Sequence, residues 1–502
     1  MRRAALTLAA LAIFAPSLPA QCPDGSLPPC GPRPQPRAAA SPTSIAVLYF
    51  ENLSRDTADA YLADGLTEEL TGRLGDVERL RVSGRSAVRR AQQASGDDLA
   101  AVGRALNVRY LVEGSLRRSG PQVRISTRLL RASDGVRVWG DTYDRTMTDL
   151  LALQEDIARE VAANVAGQLL PDERARLASR PTDDPQAYDH YLRGSYAVGR
   201  RSEAGFQRAV AEFDLALRRD PRFAAAEARK AYALVMSFAY GAEWASRDSL
   251  LAWGTRSAAR AIRLDSLSPD AWMARGVAAT WFEHDLPTCV ADLRRAAELG
   301  PRNAEVQHSL GVALMWIGED TAATASFRRA LALDPLRAVT LLDLAEGALV
   351  TGDPASAGGL IDSAITLDPD QARPYMYRAG LRLDRGDLAG ALADAETGRR
   401  LATTGIRPYA VAALVAVSAA LGDTAAARAH LAELAAIGPT APLGRALLVV
   451  GATDSALTVL ERVEPLPISW LDLRLPGFEA VRTVPRFQRI EARWRDVALH
   501  RR

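Results

Sequence analysis

The chain has 502 residues, and its 62 lysines and arginines almost balance its 60 aspartates and glutamates, so the formal net charge is +2. This length is enough for two or three domains. Because so small a net charge gives no strong electrostatic attraction, we expect neither a nucleic acid nor an anionic lipid surface as a partner.

The N-terminal segment has the pattern of a secretory signal peptide. Two arginines, Arg2 and Arg3, precede the short apolar run Ala4–Phe14, and small residues follow it. We therefore predict a signal peptide over residues 1–20 and an exported bacterial protein, periplasmic or envelope-associated. The alternatives are an uncleaved membrane anchor and lipidation at Cys22, which stands one residue later than a lipoprotein cleavage pattern requires. No later stretch reaches the ~18 continuous apolar residues of a membrane span.

Residues 21–44 are rich in proline and alanine, which predicts a disordered linker. Cys22 and Cys30 flank the turn-rich segment PDGSLPP, which can close a disulfide after export. A pair of free thiols in a disordered tail is the alternative. No histidine or acidic cluster adjoins the two cysteines, so the sequence does not predict a metal site there.

From residue 45 to residue 170 the pattern alternates between strands and helices, which is typical of an α/β domain with a mixed sheet. Ile45–Glu51 is an apolar run that suits a buried strand, and leucines four residues apart predict a helix over Asp64–Leu74. Three alternating stretches joined by short turns predict an antiparallel meander over Val108–Arg118, Gln122–Ala132 and Val136–Asp144. One further strand and three further helices are predicted at Leu80–Gly84, Ser86–Gln93, Asp98–Leu106 and Met147–Leu170.

The second half of the chain is periodic. Pro301, Pro335 and Pro369 are 34 residues apart, and each follows a matching helical pattern. A fixed period of this length is typical of a solenoid of helix-turn-helix units. Small residues such as Gly311 let two helices approach, and each Asp-Pro ends the second helix of a unit. We therefore predict an all-α solenoid over residues 186–464, with six to eight repeats.

Two segments depart from the period. The unit before Pro269 is 48 residues long, so we expect Tyr240–Ser249 to extend a helix or to form an insertion. Residues 465–502 break the repeat and are predicted to cap the array, since a solenoid needs a cover on its last unit. The apolar residues expected to cover the last helix pair are Leu471, Leu473, Phe478, Val484 and Phe487.

Both regions resemble known families. The period resembles the tetratricopeptide repeat. The segments AVLYFENLSRDTADAYLADGLTEELTGRL, NVRYLVEGSLRRSGPQVRISTRLLRASDGVRVWGDTYDR and LLALQEDIAREVA resemble the amino-terminal domain of TolB and its relatives, over about Ile45–Leu169. The resemblance implies a role in signalling, transport or regulation. Regulatory relatives carry an output domain ahead of this one, and the pattern before residue 45 is a signal peptide and a linker, so we expect no direct transcriptional or cyclase role.

No catalytic motif stands out: HExxH, GxSxG, a phosphate loop and a GxGxxG turn in a strand-to-helix context are absent from the sequence. Asp64, Glu68 and Glu69 are placed near a predicted helix start, where acidic residues complement the helix dipole. A general acid or a metal site is the less favoured interpretation of this cluster. The sequence therefore predicts no enzyme, no cofactor and no metal.

The leading hypothesis is a non-catalytic exported scaffold that binds protein or peptide partners in the groove of its repeats. The TolB-like domain would supply a second contact or would localise the protein at the envelope. The alternative is a small-ligand sensor or regulatory subunit of an envelope signalling or transport system. The oligomeric state stays open. The expected groove residues, on the solvent-facing side of first helices, are Glu305, His308, Met315, Arg378 and Arg382.

Overall fold

The computed structural model describes residues 40–499 except 97, 179, 201, 240–243, 281–283, 404 and 467–468. The predicted signal peptide, Cys22, Cys30 and most of the linker lie outside the described residues, as do Tyr240 and its three successors. From Ser41 onward the chain forms one compact unit.

The N-terminal region contains a mixed sheet of six described strands. They are β1 (Ser44–Val47), β2 (Glu51–Asn52), β3 (Arg81–Val82), β4 (Tyr110–Ser119), β5 (Gln122–Arg131) and β6 (Arg137–Thr146). The strand order is β3-β1-β4-β5-β6, and β2 pairs with β4. The first three strands pair in parallel with their neighbours, whereas β4, β5 and β6 are antiparallel, which confirms the predicted meander. The strand predicted over Ile45–Glu51 is divided between β1 and β2.

Helices cover both faces of this sheet. They are α1 (Ala60–Gly75), α2 (Arg85–Ser95), α3 (Leu99–Leu106), α4 (Leu150–Ala166) and α5 (Pro171–Leu177). Side chains alternate along the strands, so Ile45 and Val112 pack with α1 and α4 while Ala46 and Leu111 pack with α2 and α3. The sequence predicts an α/β region with a mixed sheet, and the structure arranges this region in three layers.

The described chain then forms eight consecutive antiparallel helix pairs. The pairs are α6 (Pro185–Gly199) with α7 (Glu203–Arg219), α8 (Ala224–Ala239) with α9 (Arg247–Leu264), α10 (Pro269–Ala278) with α11 (Leu286–Leu299), α12 (Ala304–Trp316) with α13 (Asp320–Leu333), α14 (Ala338–Val350) with α15 (Pro354–Leu367), α16 (Ala372–Asp384) with α17 (Leu388–Leu401), α18 (Arg407–Ala420) with α19 (Thr424–Ile437), and α20 (Ala441–Val449) with α21 (Thr453–Arg462). Neighbouring first helices contact one another more extensively than neighbouring second helices do. The first helices therefore form the inner face of the array.

Close packing within a pair depends on small residues, as the repeat pattern predicts. A Cβ added at Gly311 in α12 would lie 2.6 Å from the ring of Phe327 in α13. Gly194 and Phe213 have the same relation in the first pair, also at 2.6 Å. The ring of the second helix thus occupies the space that a side chain on the first helix would need. Cys289 is buried between paired helices, as expected for a small residue there.

The C-terminal segment adds α22 (Trp470–Arg474) and α23 (Pro485–Ala498). Phe478 and Phe487 stack with ring centroids 5.6 Å apart and pack with Leu457 and Leu460 of the last pair. Trp494 is fully buried in the same cluster. Leu473, Phe478, Val484 and Phe487 therefore pack on the last helix pair, whereas Leu471 packs elsewhere.

Replacement of Gly311 by alanine tests the close approach of paired helices. We expect Gly311→Ala to destabilise the protein by about 1–3 kcal/mol, because the new methyl group overlaps the Phe327 ring. The matched control is Gly380→Ala in α16, where an added Cβ meets no atom within 4 Å. There we expect a gain of up to about 1 kcal/mol from helix propensity. Urea unfolding followed by circular dichroism measures both, and equal shifts for the two variants would contradict this packing.

Candidate functional site

The α/β region is joined to the first helix pair through a shared hydrophobic core. Leu66 and Leu70 of α1 belong to the same buried cluster as Leu192 of α6. A Cβ added at Gly65 would lie 2.9 Å from Leu192 Cδ2. The α/β region and the array therefore share one core, and α1 packs against the inner face of the array.

Farther along the array the α/β region is held by polar groups that bind its main chain. Arg302, just before α12, donates through Nη1 to the carbonyl oxygens of Val77 at 3.1 Å and Glu78 at 2.6 Å. Asp334, after α13, accepts the N–H of Ala87 through Oδ1 at 3.2 Å. The Ala87 N–H lies in the first turn of α2, where a helix offers its amides no internal acceptor. Asp334 thus caps a helix of the α/β region from across the interface.

A cleft of about 2180 Å³ lies between the α/β region and the array, and Arg302 and Asp334 are among its lining residues. One wall is formed by α1 and α2, and the other by the starts of the first helices α10, α12, α14 and α16. We call it the central cleft. Charged side chains of both signs line it, and they include Asp64, Glu68, Arg85, Arg89, Arg229, Asp270, Glu305, Arg337 and Arg373. The cleft is therefore lined by charges of both signs, and neither sign dominates.

An ion-pair chain connects α1 and α2 to α8, which also borders the central cleft. Glu68 of α1 accepts from Arg85 Nη1 at 2.9 Å and from Arg229 Nη2 of α8 at 2.5 Å. Arg85 also binds Asp64 Oδ2 at 2.8 Å. Burial acts to raise the pKa of Glu68, but Arg229 and Arg85 outweigh it and the pKa is lowered. Because both partners of Glu68 must be in place, this chain fixes the position of α1 against α8.

Glu69, the next residue of α1, has the opposite electrostatic environment. Burial raises its pKa to about 7, and the nearby Arg73 only partly offsets this. Its nearest cation, Arg73 Nε, is 3.9 Å from Glu69 Oε2. A carboxyl group with this pKa is partly protonated at neutral pH, so we expect the contact between α1 and the array to depend on pH.

The short helix α22 and the residue after it cover another part of the inner face. Leu471 packs with Leu314 and Met315 of α12, and Leu475 packs with Leu342 of α14. Arg474 donates through Nη1 to the carbonyl oxygen of Met315 at 2.9 Å and pairs with Asp320 at the start of α13. The expectation that Leu471 covers the last helix pair is therefore wrong, because α22 turns back onto the middle of the array.

Between the central cleft and α22 lies a buried polar network that the sequence analysis did not identify. Arg373 Nη2 binds Asp343 Oδ1 at 3.1 Å and Glu346 Oε2 at 2.7 Å, and Glu346 also accepts from the Tyr377 hydroxyl. Burial raises the pKa of Asp343 to about 6, against the attraction of Arg373. The available signal was two acidic residues three positions apart in the apolar helix α14, since such residues must be paired when buried.

Three of the predicted groove residues lie on the inner helix α12. Glu305 lines the central cleft and pairs with Arg337 at 2.5 Å. His308 is buried, with Nδ1 3.1 Å from Thr340 Oγ1 of α14. Met315 is 1% exposed. The expectation that His308 and Met315 face solvent is wrong, because α14 encloses the histidine and α22 covers the methionine.

The two predicted groove arginines of α16 bind the second helix of their own pair. Arg378 forms two hydrogen bonds of 2.8 Å with the carboxylate of Asp394 in α17, and it also contacts Asp362. Arg382 Nη1 lies 2.9 Å from Asp394 Oδ2. Both arginines thus neutralise one buried carboxylate, which corrects the expectation of solvent-facing groove residues.

The acidic cluster of α1 also differs from its prediction. The helix begins at Ala60, so Asp64, Glu68 and Glu69 lie in its middle and do not act on its N-terminal dipole. Within the described part of the chain, no group of three or more histidine, cysteine, aspartate or glutamate side chains has a metal-binding arrangement. The same residues contain no helix that is both long and apolar enough to cross a membrane.

The described residues thus form an array of antiparallel helix pairs, with an α/β region docked on its inner face. Among solved structures, the chain is similar to PilF of Pseudomonas aeruginosa, with 16% identity, a TM-score of 0.37, and coverage of 44% of this chain and 96% of that one. PilW, a type IV pilus biogenesis factor, has 18% identity, a TM-score of 0.35, and coverage of 42% and 92%. YrrB, described as a tetratricopeptide protein with an unusual peptide-binding site, has 19% identity, a TM-score of 0.28, and coverage of 41% and 96%.

A search of protein families finds no match to the chain. Among curated proteins, "Putative adenylate cyclase 3" of Rhizobium meliloti (strain 1021) is 32% identical over 250 residues. This match covers 50% of the present chain and 42% of that protein. The chain thus spans about two fifths of the length of this relative.

Gly84→Ala tests the docking of α2 on the array. An added Cβ would lie 2.5 Å from Asp334 Cγ, so we expect α2 to be displaced and the stability to fall by about 1–3 kcal/mol. Hydrogen exchange should accelerate in residues 85–88. The matched control is Gly72→Ala in α1, which borders the same cleft and where a Cβ meets no atom within 4 Å. Unchanged exchange at α2 in Gly84→Ala would argue against the contact with Asp334.

Glu69→Gln tests the pH dependence of the contact between α1 and the array. Because the folded-state pKa is raised from 4.5 to about 7, ionisation of Glu69 lowers stability as pH rises. We expect the variant to be more stable than the parent at pH 8, on the order of 2 kcal/mol for this partly exposed group, with the difference lost below about pH 4. Thermal unfolding across pH measures it. Glu396→Gln, at an exposed site on α17, is the control and should show no such trend.

Proposed function

We propose that this chain is a non-catalytic protein-binding module, and that the central cleft holds an extended segment of a partner protein. The observation that carries the proposal is the way the array already binds its own chain. Arg302 and Asp334 bind main-chain carbonyl and N–H groups of the α/β region. Main-chain groups are present in every polypeptide, so the ends of these helix pairs offer contacts that suit an extended protein segment.

The size of the central cleft favours a polypeptide over a small molecule. Pockets for small ligands usually enclose about 300–1,000 Å³. The central cleft, at about 2180 Å³, is at least twice that size. Its lining carries both charges, so the segment that fits it best alternates acidic and basic residues and is not a polyanion. This lining also argues against nucleic acid as the partner.

Location and the second contact belong to the same proposal. The N-terminal pattern of two arginines and an apolar run supports export, and hence a partner in the bacterial envelope. The TolB-like α/β region supplies the second wall of the central cleft, so a bound segment would touch both regions. In this arrangement the α/β region takes part in binding and is not only a localising module.

Site-specific photocrosslinking tests the proposal. A photoreactive amino acid at Gln93, which borders the central cleft on exposed α2 surface, should crosslink to a partner protein in the native bacterium. The same amino acid at Glu396, on the outer surface of α17, is the control and should not. Mass spectrometry should map the Gln93 crosslinks to one contiguous partner segment. Crosslinks to a partner from Glu396 alone would contradict the proposal.

A sensor or regulatory subunit is the second candidate function. It is favoured by the match to part of a protein named as an adenylate cyclase, since that name belongs to nucleotide signalling. In this case the α/β region would bind a small metabolite at the cleft. Thermal shift of the full chain over a metabolite library distinguishes the two. A metabolite that raises the unfolding temperature of the parent but not of Gly84→Ala would support the sensor function. An unchanged unfolding temperature across the library would argue against it.

A further inference from the structure

The segment Trp470–Leu475 lies on the inner face of the array as a bound peptide would. We infer that this segment is an internal ligand, and that the surface under it binds a partner segment of the same chemistry when the internal one is displaced. We call this surface the α22 site. The inference rests on the proposed protein-binding function, and it names a separate surface and the partner chemistry.

Apolar anchors give the first half of the argument. Leu471 lies in the short helix, and Leu475 directly follows its last residue. Leu471 enters the buried cluster of α12, and Leu475 enters that of α14 and α16. Leu473 lies between them in sequence and packs instead with the cap. The two anchors thus fill pockets of separate helix pairs.

Polar contacts give the second half and fix the orientation of the segment. Asp472 accepts from the Tyr409 hydroxyl of α18 through Oδ2 at 2.9 Å, and its carbonyl oxygen accepts from Arg445 of α20 at 3.1 Å. Arg474 binds the end of α12 and the start of α13 through Met315 and Asp320. A segment of only five helical residues therefore touches first helices from α12 to α20.

The docked state of this segment includes unfavourable free-energy contributions, so a partner segment can displace it. A five-residue helix is too short to be stable by itself and is ordered only by its docking. The indole N–H of Trp470 is buried without a hydrogen-bond partner. Asp472 is half-buried, and desolvation raises the pKa of its carboxyl group to about 6 in spite of Arg445. Each buried polar group with incomplete compensation weakens the docking.

These contacts specify the partner chemistry. A competing segment needs two large aliphatic residues four positions apart, an aspartate directly after the first, and an arginine directly before the second, as in the chain's own LDLRL. It should fold into one helical turn on binding. Such a motif is short and apolar on one side, which is typical of a helix that binds in a groove.

A fluorescent synthetic peptide of residues 465–480 tests the inference on the full chain. Arg474→Ser with Leu475→Ser removes internal contacts and leaves the α22 site unaltered, so we expect this variant to bind the peptide at least about tenfold more tightly than the parent. Adding Asp320→Asn to the variant should weaken binding again. A peptide with serine at 471 and 475 is the control and should not bind. Equal binding by the parent and the folded variant would overturn the inference.

If the double variant does not fold, the unaltered chain provides the test. Excess unlabelled peptide should accelerate hydrogen exchange of the Leu475 amide, which donates to Leu471 in the docked helix. Unchanged exchange would mean that α22 is a fixed part of the fold. The Gln93 crosslinks report on the central cleft alone. Crosslinking from Gln93 without peptide binding would contradict the α22 site and leave the central cleft supported. Peptide binding without crosslinking would contradict the partner site in the central cleft and leave the α22 site supported.

Discussion

The whole structure depends on how the inner face of the helical array is covered. Stacked helix pairs bury the contacts between successive units but leave the first helices with one long common face. In this chain that face carries apolar residues such as Met315 and Leu342, which are costly to leave in water. The α/β region covers the starts of several first helices, and the segment of α22 covers the end of α12 and part of α14. The inner face of the array is therefore covered by the α/β region, which precedes the array in the sequence, and by α22, which follows it.

This coverage explains where the charges are buried. Glu68 lies between Arg85 and Arg229, and Arg373 lies between Asp343 and Glu346. Buried ion pairs of this kind add little net stability, because the loss of hydration offsets most of the attraction. They do penalise any arrangement in which one member is left unpaired. Their effect is to fix one docked geometry, while the shared apolar core provides the attraction.

Much of the architecture could be predicted from the sequence, because it depends on local patterns. The prolines at 34-residue intervals and the small residue at Gly311 predict the helix pairs, and alternating strands predict the meander. The docked arrangement is not local. Asp334 and Asp368 are at equivalent positions of two repeats, each directly before a proline. Asp334 accepts the N–H of Ala87, and the repeat pattern does not distinguish it from Asp368.

The candidate site was predicted less well for the same reason. Helical spacing correctly placed Met315 on an inner helix, but it could not show that a segment more than 150 residues later covers it. Arg378 and Arg382 have the spacing of surface residues, and only the structure shows Asp394 between them. The sequence analysis also missed the buried pair Asp343 and Glu346, although two acidic residues three positions apart in an apolar helix indicate a paired site.

The most direct test of this account is hydrogen exchange at the Ala87 amide, measured at single-residue resolution in the full chain. That amide lies in the first turn of α2 and has no acceptor within its own helix, so its protection reports the contact with Asp334. The account predicts slow exchange in the parent and fast exchange in Asp334→Ala, with α2 beyond its first turn still protected in both. Fast exchange of Ala87 in the parent, with a protected α2, would show that the α/β region does not dock on the inner face as described.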